Sequence, residues 1–377
     1  MKTLYLHIGT PKTGTSALQH FCAHNRRVLQ EKGISYPDLG FRFPGIGKNR
    51  NAHFLSYREY LEKKKRDYEA EKQIRAEGLQ KLDAEFENYD TVLLSDEHIW
   101  NEPEMDTKAV SELVQHFAAI GVTVKIIVYL RRQDQVIQSY WAQKLKETYT
   151  LTFEKYMEKD KYKFFRLDYA TRLQEFVDAL GKDNVIVRCY EKQQYQGKQQ
   201  NIISDFLQIF GLDITHEYKD VDRVRNTSLE GPYLEVKRLL NTLPEFKTKR
   251  NYVVDLLKEQ QEIDFENSDR ERKKLYFTPE AEKEFMQAFA QENTTVAREY
   301  FGRSEGPLFF DNYMEELEKG NAGNSYTSKE LVQICGNMLT RLEGRYEEVL
   351  TEKKKLERGH HLRHFAQRCK RKICSRV

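Results

Sequence analysis

The chain has 377 residues, 32% charged and 39% hydrophobic, which is enough apolar material for one large core or two modest ones beneath a solvated surface. Its five cysteines (Cys22, Cys189, Cys335, Cys369, Cys374) are odd in number and lack zinc spacing, and no apolar run approaches the ~20 residues of a bilayer span, so a disulfide-stapled scaffold, a zinc module and a membrane-spanning chain are excluded. The net charge of +3 is unevenly placed: from Lys353 onward there are ten Lys/Arg and one Glu, about +9, against about −6 on the remainder.

Taken in order, residues 3–8 alternate apolar side chains as a strand and residues 15–31 follow as a helix ended by Gly33. Residues 34–36 form a short strand stopped by Pro37, residues 40–51 a loop, and residues 57–89 a charged two-helix excursion. Thr91–Ser95 is a buried strand, residues 108–120 an amphipathic helix, Val122–Leu130 a long β-branched strand, Gln133–Glu147 a helix and residues 184–188 a further strand. Apolar strands alternating with helices predict an α/β fold: three layers, α/β/α, with a central parallel sheet whose ligands lie at the carboxyl ends of the strands. Beyond residue 190 helices dominate, at 201–210, 232–241, 252–262 and 279–301. After a linker at 320–324 a last helix starts near Ser328, either a weak coiled coil or a helix packed on the body.

Between the first strand and helix stands His7-Ile8-Gly9-Thr10-Pro11-Lys12-Thr13-Gly14-Thr15-Ser16. A Gly-containing turn into a helix N-terminus converges backbone N–H groups on one point and adds the positive end of the helix dipole. Lys12 contributes a full charge, and Thr13, Thr15 and Ser16 contribute hydroxyls. An ATP-binding loop has Lys directly after its last Gly, whereas Lys12 precedes Gly14 by two residues. The pattern resembles the 5′-phosphosulfate loop of sulfotransferases that use 3′-phosphoadenosine 5′-phosphosulfate (PAPS); an ordinary strand-to-helix turn is the plain alternative. The resemblance implies that Pro11, Lys12, Thr13, Gly14, Thr15 and Ser16 hold the donor, with Lys12 near its bridging oxygen.

A second element supports the first. Arg131 closes the long strand and Ser139 follows eight residues later, the spacing at which sulfotransferases hold the 3′-phosphate of PAPS. A guanidinium can engage two phosphate oxygens and a hydroxyl a third; alternatively, Arg131 and Arg132 pair with Asp134 or Glu147. The likeness extends over residues 3–310, with specificity concentrated in these two elements. The family's Arg-rich Gly loop is absent in its usual form, leaving Arg223, Arg225, Asn226 and Ser228 as candidates. The implied organisation is a sulfotransferase domain over 1–320, with a PAPS-binding core to about 215 and a helical acceptor side over 216–320, followed by a basic helical extension over 321–377.

Sulfuryl transfer to an acceptor hydroxyl or amine requires in-line alignment, stabilisation of the leaving oxygen and a base, but no metal. Glu97, after strand Thr91–Ser95, is the first candidate base. His98 beside it points away if Glu97 points in, and His53 in the variable loop is the third candidate. Leu93-Leu94-Ser95-Asp96-Glu97 also resembles the magnesium-binding strand end of an ATPase, so a P-loop kinase or ATPase is the runner-up, and a catalytically silent nucleotide-binding scaffold the third reading. A bacterial-type cytoplasmic enzyme with a glycan or glycolipid acceptor is expected. The first strand begins almost at once, which leaves no room for a signal peptide. The basic end suits peripheral contact with an anionic inner-membrane face; a homodimer is left open, and nucleic acid is not an expected partner.

Overall fold

The computed structural model describes residues 1–61, 65–101, 107–159, 166–219, 228–246, 248–266, 276–310 and 326–374. Five strands, β1 (Lys2–His7), β2 (Ile34–Ser35), β3 (Thr91–Ser95), β4 (Val122–Leu130) and β5 (Val185–Cys189), form one parallel sheet in the order β2-β3-β1-β4-β5. From β1 the chain moves outward to β2 and returns through β3. From β4 it moves the other way to β5. The ends of β1 and β4 therefore flank the point where the winding reverses, which is where an open α/β sheet offers a crevice.

Register explains the layers. Leu4 and Leu6 align with Val92 and Leu94 on one side and Val124 and Ile126 on the other, so their side chains share a face. All six are at most 4% exposed. The intervening residues Leu93, Ile127 and Tyr129 face oppositely, into a core built with Leu18, Phe21 and Cys22 of α1 (Thr15–His24) and Ile202, Ile203, Phe206 and Leu207 of α10 (Ile202–Gln208). The first face is left to α4 (Tyr68–Asn88), which lies against β3, α6 (Thr107–Ala119), against β4, and α9 (Tyr169–Leu180), against β5. Helices thus cover both faces of a sheet whose strands are apolar throughout. The Tyr129 hydroxyl donates to Asp205 at 2.6 Å, tying α10 to the centre of the sheet.

Three helices depart from the periodicity reading. Residues 15–31 form α1 and α2 (Arg26–Glu31), parted at Asn25. That buried amide donates to the carbonyls of Phe21 and Lys219 and accepts from the Lys219 N–H, so it serves a distant segment rather than one continuous helix. Residues 57–89 hold one long helix, α4, capped by the Asp67 side chain on the Ala70 N–H, after a Tyr60–Arg66 bridge; the short α3 (His53–Ser56) precedes it. Residues 279–301 split into α13 (Pro279–Gln287) and α14 (Ala290–Phe301). The expected linker at 320–324 lies outside the described residues.

The chain falls into two compact units. The first comprises Met1–Trp141, Phe153–Asn226 and Leu275–Gly323 and contains the sheet; the second comprises Ala142–Thr152, Thr227–Lys274 and Asn324–Val377. In the second, α11 (Gly231–Leu240) and α12 (Arg250–Glu266) pack on α15 (Ser328–Cys374), which buries Ile334 and Met338. Its buried Lys237 ammonium donates to the carbonyls of Leu145 and Glu147, holding the end of α7 (Gln133–Glu147). Among the described residues, no helix is long and apolar enough to cross a membrane. Ile126 is fully buried at the middle of β4; Ile126→Ala is expected to destabilise the first unit by about 2–5 kcal/mol, read as a lowered urea midpoint at unchanged slope.

Candidate anion-binding and acid–base site

The loop after β1 is held by the neighbouring strand. The Ile8 N–H donates to the Ile127 carbonyl at 3.0 Å and the Thr10 N–H to the Tyr129 carbonyl at 3.2 Å, so β1 stays zipped to β4 past its last strand residue. The Thr10 hydroxyl adds a second bond to the Tyr129 carbonyl at 2.9 Å, and the buried Thr13 hydroxyl donates to the Thr10 carbonyl. The chain then lifts over the sheet edge with Lys12 at φ 71° and Gly14 at φ 75°, both left-handed. Lys12 is not glycine, so this conformation carries strain of a kind that collects at functional sites. A side chain at Gly14 would meet Tyr190 Cε2 at 3.0 Å, which fixes glycine there.

This conformation leaves the backbone N–H groups of residues 12–16 without hydrogen-bond partners among the described residues, at the positive end of α1. The Lys12 ammonium also makes no ion pair among them. Burial pushes its pKa down, the Arg131 guanidinium adds to that effect, and Glu97 partly opposes it. Arg131 donates through Nη1 to the Lys12 carbonyl at 2.8 Å and through Nε to Gln135 at 3.1 Å, and its guanidinium lies 5.4 Å from the Tyr190 ring centroid. Among the described residues the ion-pair alternative applies to Arg132, which bonds Asp134 and Glu282, and not to Arg131. Ser139 is half-buried on α7 with no hydroxyl partner among the described residues, and Ser16 is exposed on the first turn of α1. Arg223, Arg225 and Asn226 lie outside the described residues; the Ser228 carbonyl accepts a bond from Gln261.

Beneath the loop three polar side-chain atoms gather around Gly9. A Cβ at Gly9 would lie 2.8 Å from Thr15 Oγ1, 3.3 Å from His7 Nε2 and 3.5 Å from Thr13 Oγ1. Of these, Thr15 Oγ1 and His7 Nε2 are buried without a partner. Unmade hydrogen bonds at buried atoms are costly, so these two atoms stand out beneath the loop.

Beyond β3 a second cluster is fully bonded. Asp96, with no exposed surface, accepts from Arg50 and the His98 N–H (2.9 Å) at Oδ1, and from His53 Nδ1 (2.7 Å) and Ser56 Oγ (2.6 Å) at Oδ2. Burial alone would push this carboxyl up, but the bonds from His53 and the Arg50 charge outweigh it and hold Asp96 ionised below the usual carboxylate range. His53 Nδ1 also lies 3.0 Å from Ser56 Oγ and 3.4 Å from Arg50 Nη2, whereas Nε2 makes no bond among the described residues. Glu97 is engaged at both oxygens, by Arg50 at 3.4 Å and by Gln19 at 3.0 Å. Ligand atoms of His53, Asp96 and His98 lie within 4.8 Å of one another, but the Arg50 guanidinium already supplies the positive charge that Asp96 balances.

His98 does not point away as strand alternation predicts. The chain turns at Asp96 into α5 (His98–Asn101), and the His98 ring sits 5.3 Å from that of His53. Arg50 and Ser56 escaped the sequence reading, although each lies three residues from His53, the spacing that puts groups on one face of a helical turn. His7 and Gln19 escaped it because nothing local marks a buried polar residue whose partners lie on other strands.

No protein-family model matches the chain. An uncharacterized protein of Archaeoglobus fulgidus is 29% identical over 248 residues, covering 64% of this chain and 61% of the relative, so the match spans less than two thirds of that protein's length. Among solved structures, a sulfotransferase from Alicyclobacillus acidocaldarius aligns over 69% of this chain and 96% of its own at 18% identity, with a TM-score of 0.35.

Proposed function

We propose that the chain is a sulfotransferase that moves the sulfuryl group of PAPS to a hydroxyl or amine of an acceptor, a glycan or glycolipid. The observation that carries this reading is the strained loop over the β1/β4 crevice. Its N–H groups lack hydrogen-bond partners and Lys12 lacks an ion pair among the described residues, and Arg131 is bonded to the loop itself. Bound PAPS would supply an electrophilic sulfur on a bisphosphate leaving group. Lys12 would balance the charge that grows on the leaving oxygen, and the loop amides would hold the 5′-phosphate. Arg131 and Ser139 would take the 3′-phosphate, with Tyr190 limiting the tilt of the guanidinium.

For the base, the geometry favours His53 over Glu97. Glu97 is tied to Arg50 and Gln19, whereas His53 is held by Asp96 with one nitrogen available. Asp96, Ser56 and Arg50 then serve as positioning residues. The runner-up, a P-loop ATPase, needs a strand-end carboxylate free for a magnesium shell, and Asp96 is occupied by four donors. The basic stretch after Lys353 would keep the enzyme at an anionic membrane face, near a lipid-linked acceptor.

Calorimetric titration is expected to show binding of 3′,5′-adenosine bisphosphate without magnesium and none of ATP; the reverse result sinks the proposal. Lys12→Ala should lower transfer from radiolabelled PAPS to a cellular glycolipid fraction by at least about a hundredfold. Because the depressed Lys12 pKa means that its charge is lost at lower pH than for an ordinary lysine, bisphosphate affinity should weaken as pH rises through that range. Lys12→Arg should flatten the dependence. Asp96→Asn should cost at least about tenfold more turnover than Glu97→Gln, because His53 loses the partner that fixes its tautomer; equal losses would return the base to Glu97.

A further inference from the structure

We propose that His7 is a buried, neutral N–H donor that grips a phosphoryl oxygen from below the loop, together with the Thr15 hydroxyl. The inference rests on the anion-site reading above and deepens it, because His7 ends β1 and is not among the residues Pro11–Ser16 that the resemblance assigns to the donor.

Its position comes from the sheet. His7 pairs in register with Ser95 and Ile127, facing α1 and α10, and its ring meets those of Phe206 at 5.6 Å and Tyr129 at 6.0 Å. It has no exposed surface, and burial pushes its pKa down to about 3, so it stays uncharged across the physiological range. A neutral imidazole has one donor and one acceptor nitrogen, and its surroundings decide which is which.

The neighbouring bonds settle the tautomer. The Gln19 amide donates one hydrogen to Glu97 at 3.0 Å and the other to Ser95 Oγ at 3.3 Å. The Ser95 hydroxyl has no other acceptor among the described residues, so its proton goes to His7 Nδ1, 2.9 Å away. The imidazole hydrogen is therefore on Nε2. That atom is buried and unpartnered, as is Thr15 Oγ1, and the two flank the same point over Gly9, where a Cβ would stand at 3.3 and 2.8 Å from them. An unsatisfied N–H and an unsatisfied hydroxyl, both close to a glycine too crowded to take a side chain, are two donors that suit a phosphoryl oxygen. The helix N-terminus and Lys12 supply the charge from above, and His7 adds direction from below. The chain Glu97–Gln19–Ser95–His7 also couples the acid–base edge to the anion cradle through named hydrogen bonds.

The test is calorimetry on the full chain with three probes: 3′,5′-adenosine bisphosphate, adenosine 3′-monophosphate and inorganic pyrophosphate. His7→Phe keeps the ring contacts and removes the donor. It should weaken the bisphosphate and pyrophosphate by about tenfold and leave the 3′-monophosphate, which lacks the 5′-phosphate, within about twofold. Ser95→Ala, which removes the group that fixes the tautomer, should cost about threefold and decides the matter if His7→Phe does not fold. Unchanged affinity for both phosphate probes in the folded variants overturns the role of His7. Wild-type binding of pyrophosphate but not of the bisphosphate, with pyrophosphate weakened by His7→Phe, overturns the PAPS reading and leaves the His7 donor standing.

Discussion

The hydrogen bonds by which Ile8 and Thr10 follow β4 beyond the end of β1 shape everything that acts at this sheet edge. A loop leaving a strand is ordinarily free to bend. Here both the amide and the hydroxyl of Thr10 are committed to the Tyr129 carbonyl, so the chain must rise abruptly at Pro11 and Lys12 to enter α1. That rise brings the left-handed conformations at Lys12 and Gly14 and leaves the N–H groups of residues 12–16 without partners among the described residues. Arg131 braces the loop by bonding the Lys12 carbonyl, and Tyr169 anchors Arg131 in turn through its carbonyl at 2.6 Å. The strain is borne by the folded β1–β4 pair, which holds the loop's donors in place.

Charge is distributed with similar economy. Burial, and after it the nearby Arg131, lowers the Lys12 pKa, and the pair of cations gives this part of the edge its positive charge. The carboxylates nearby are kept from competing: Arg50 spans Asp96 and Glu97, and Gln19 takes the remaining oxygen of Glu97. One arginine thereby holds the carboxylates in a bonded cluster, in which Asp96 also takes His53 Nδ1. A buried carboxylate with four donors is stable as a positioning group and poorly suited to leave its partners for a proton.

Some of this was legible in the chain and some was not. The strands were, because a parallel sheet buried on both faces needs continuous apolar runs, and Val122–Leu130 and Thr91–Ser95 are such runs. The loop was too, because Gly14 and the hydroxyl-rich start of α1 are local signals. Helix ends were less so: Asn25 breaks a good helical pattern to bond Lys219, 194 residues away. Glu97 was a candidate base by residue type, and its pairing with Arg50 could not be seen because the two stand on different segments.

The sequence alone determined what depends on neighbours along the chain: the alternation of strands and helices, the turn chemistry from Gly9 to Ser16, and the separation of Lys12 from the last glycine. These follow from backbone sterics and side-chain periodicity within a few residues. Only the tertiary structure decided which polar groups are satisfied. It gave Asp96 four donors, tied up Glu97, turned His98 toward His53 and left His7 Nε2 and Thr15 Oγ1 unpartnered around Gly9. The reason is that hydrogen bonds and ion pairs act over about 3–4 Å, a distance that folding sets between residues far apart in the chain.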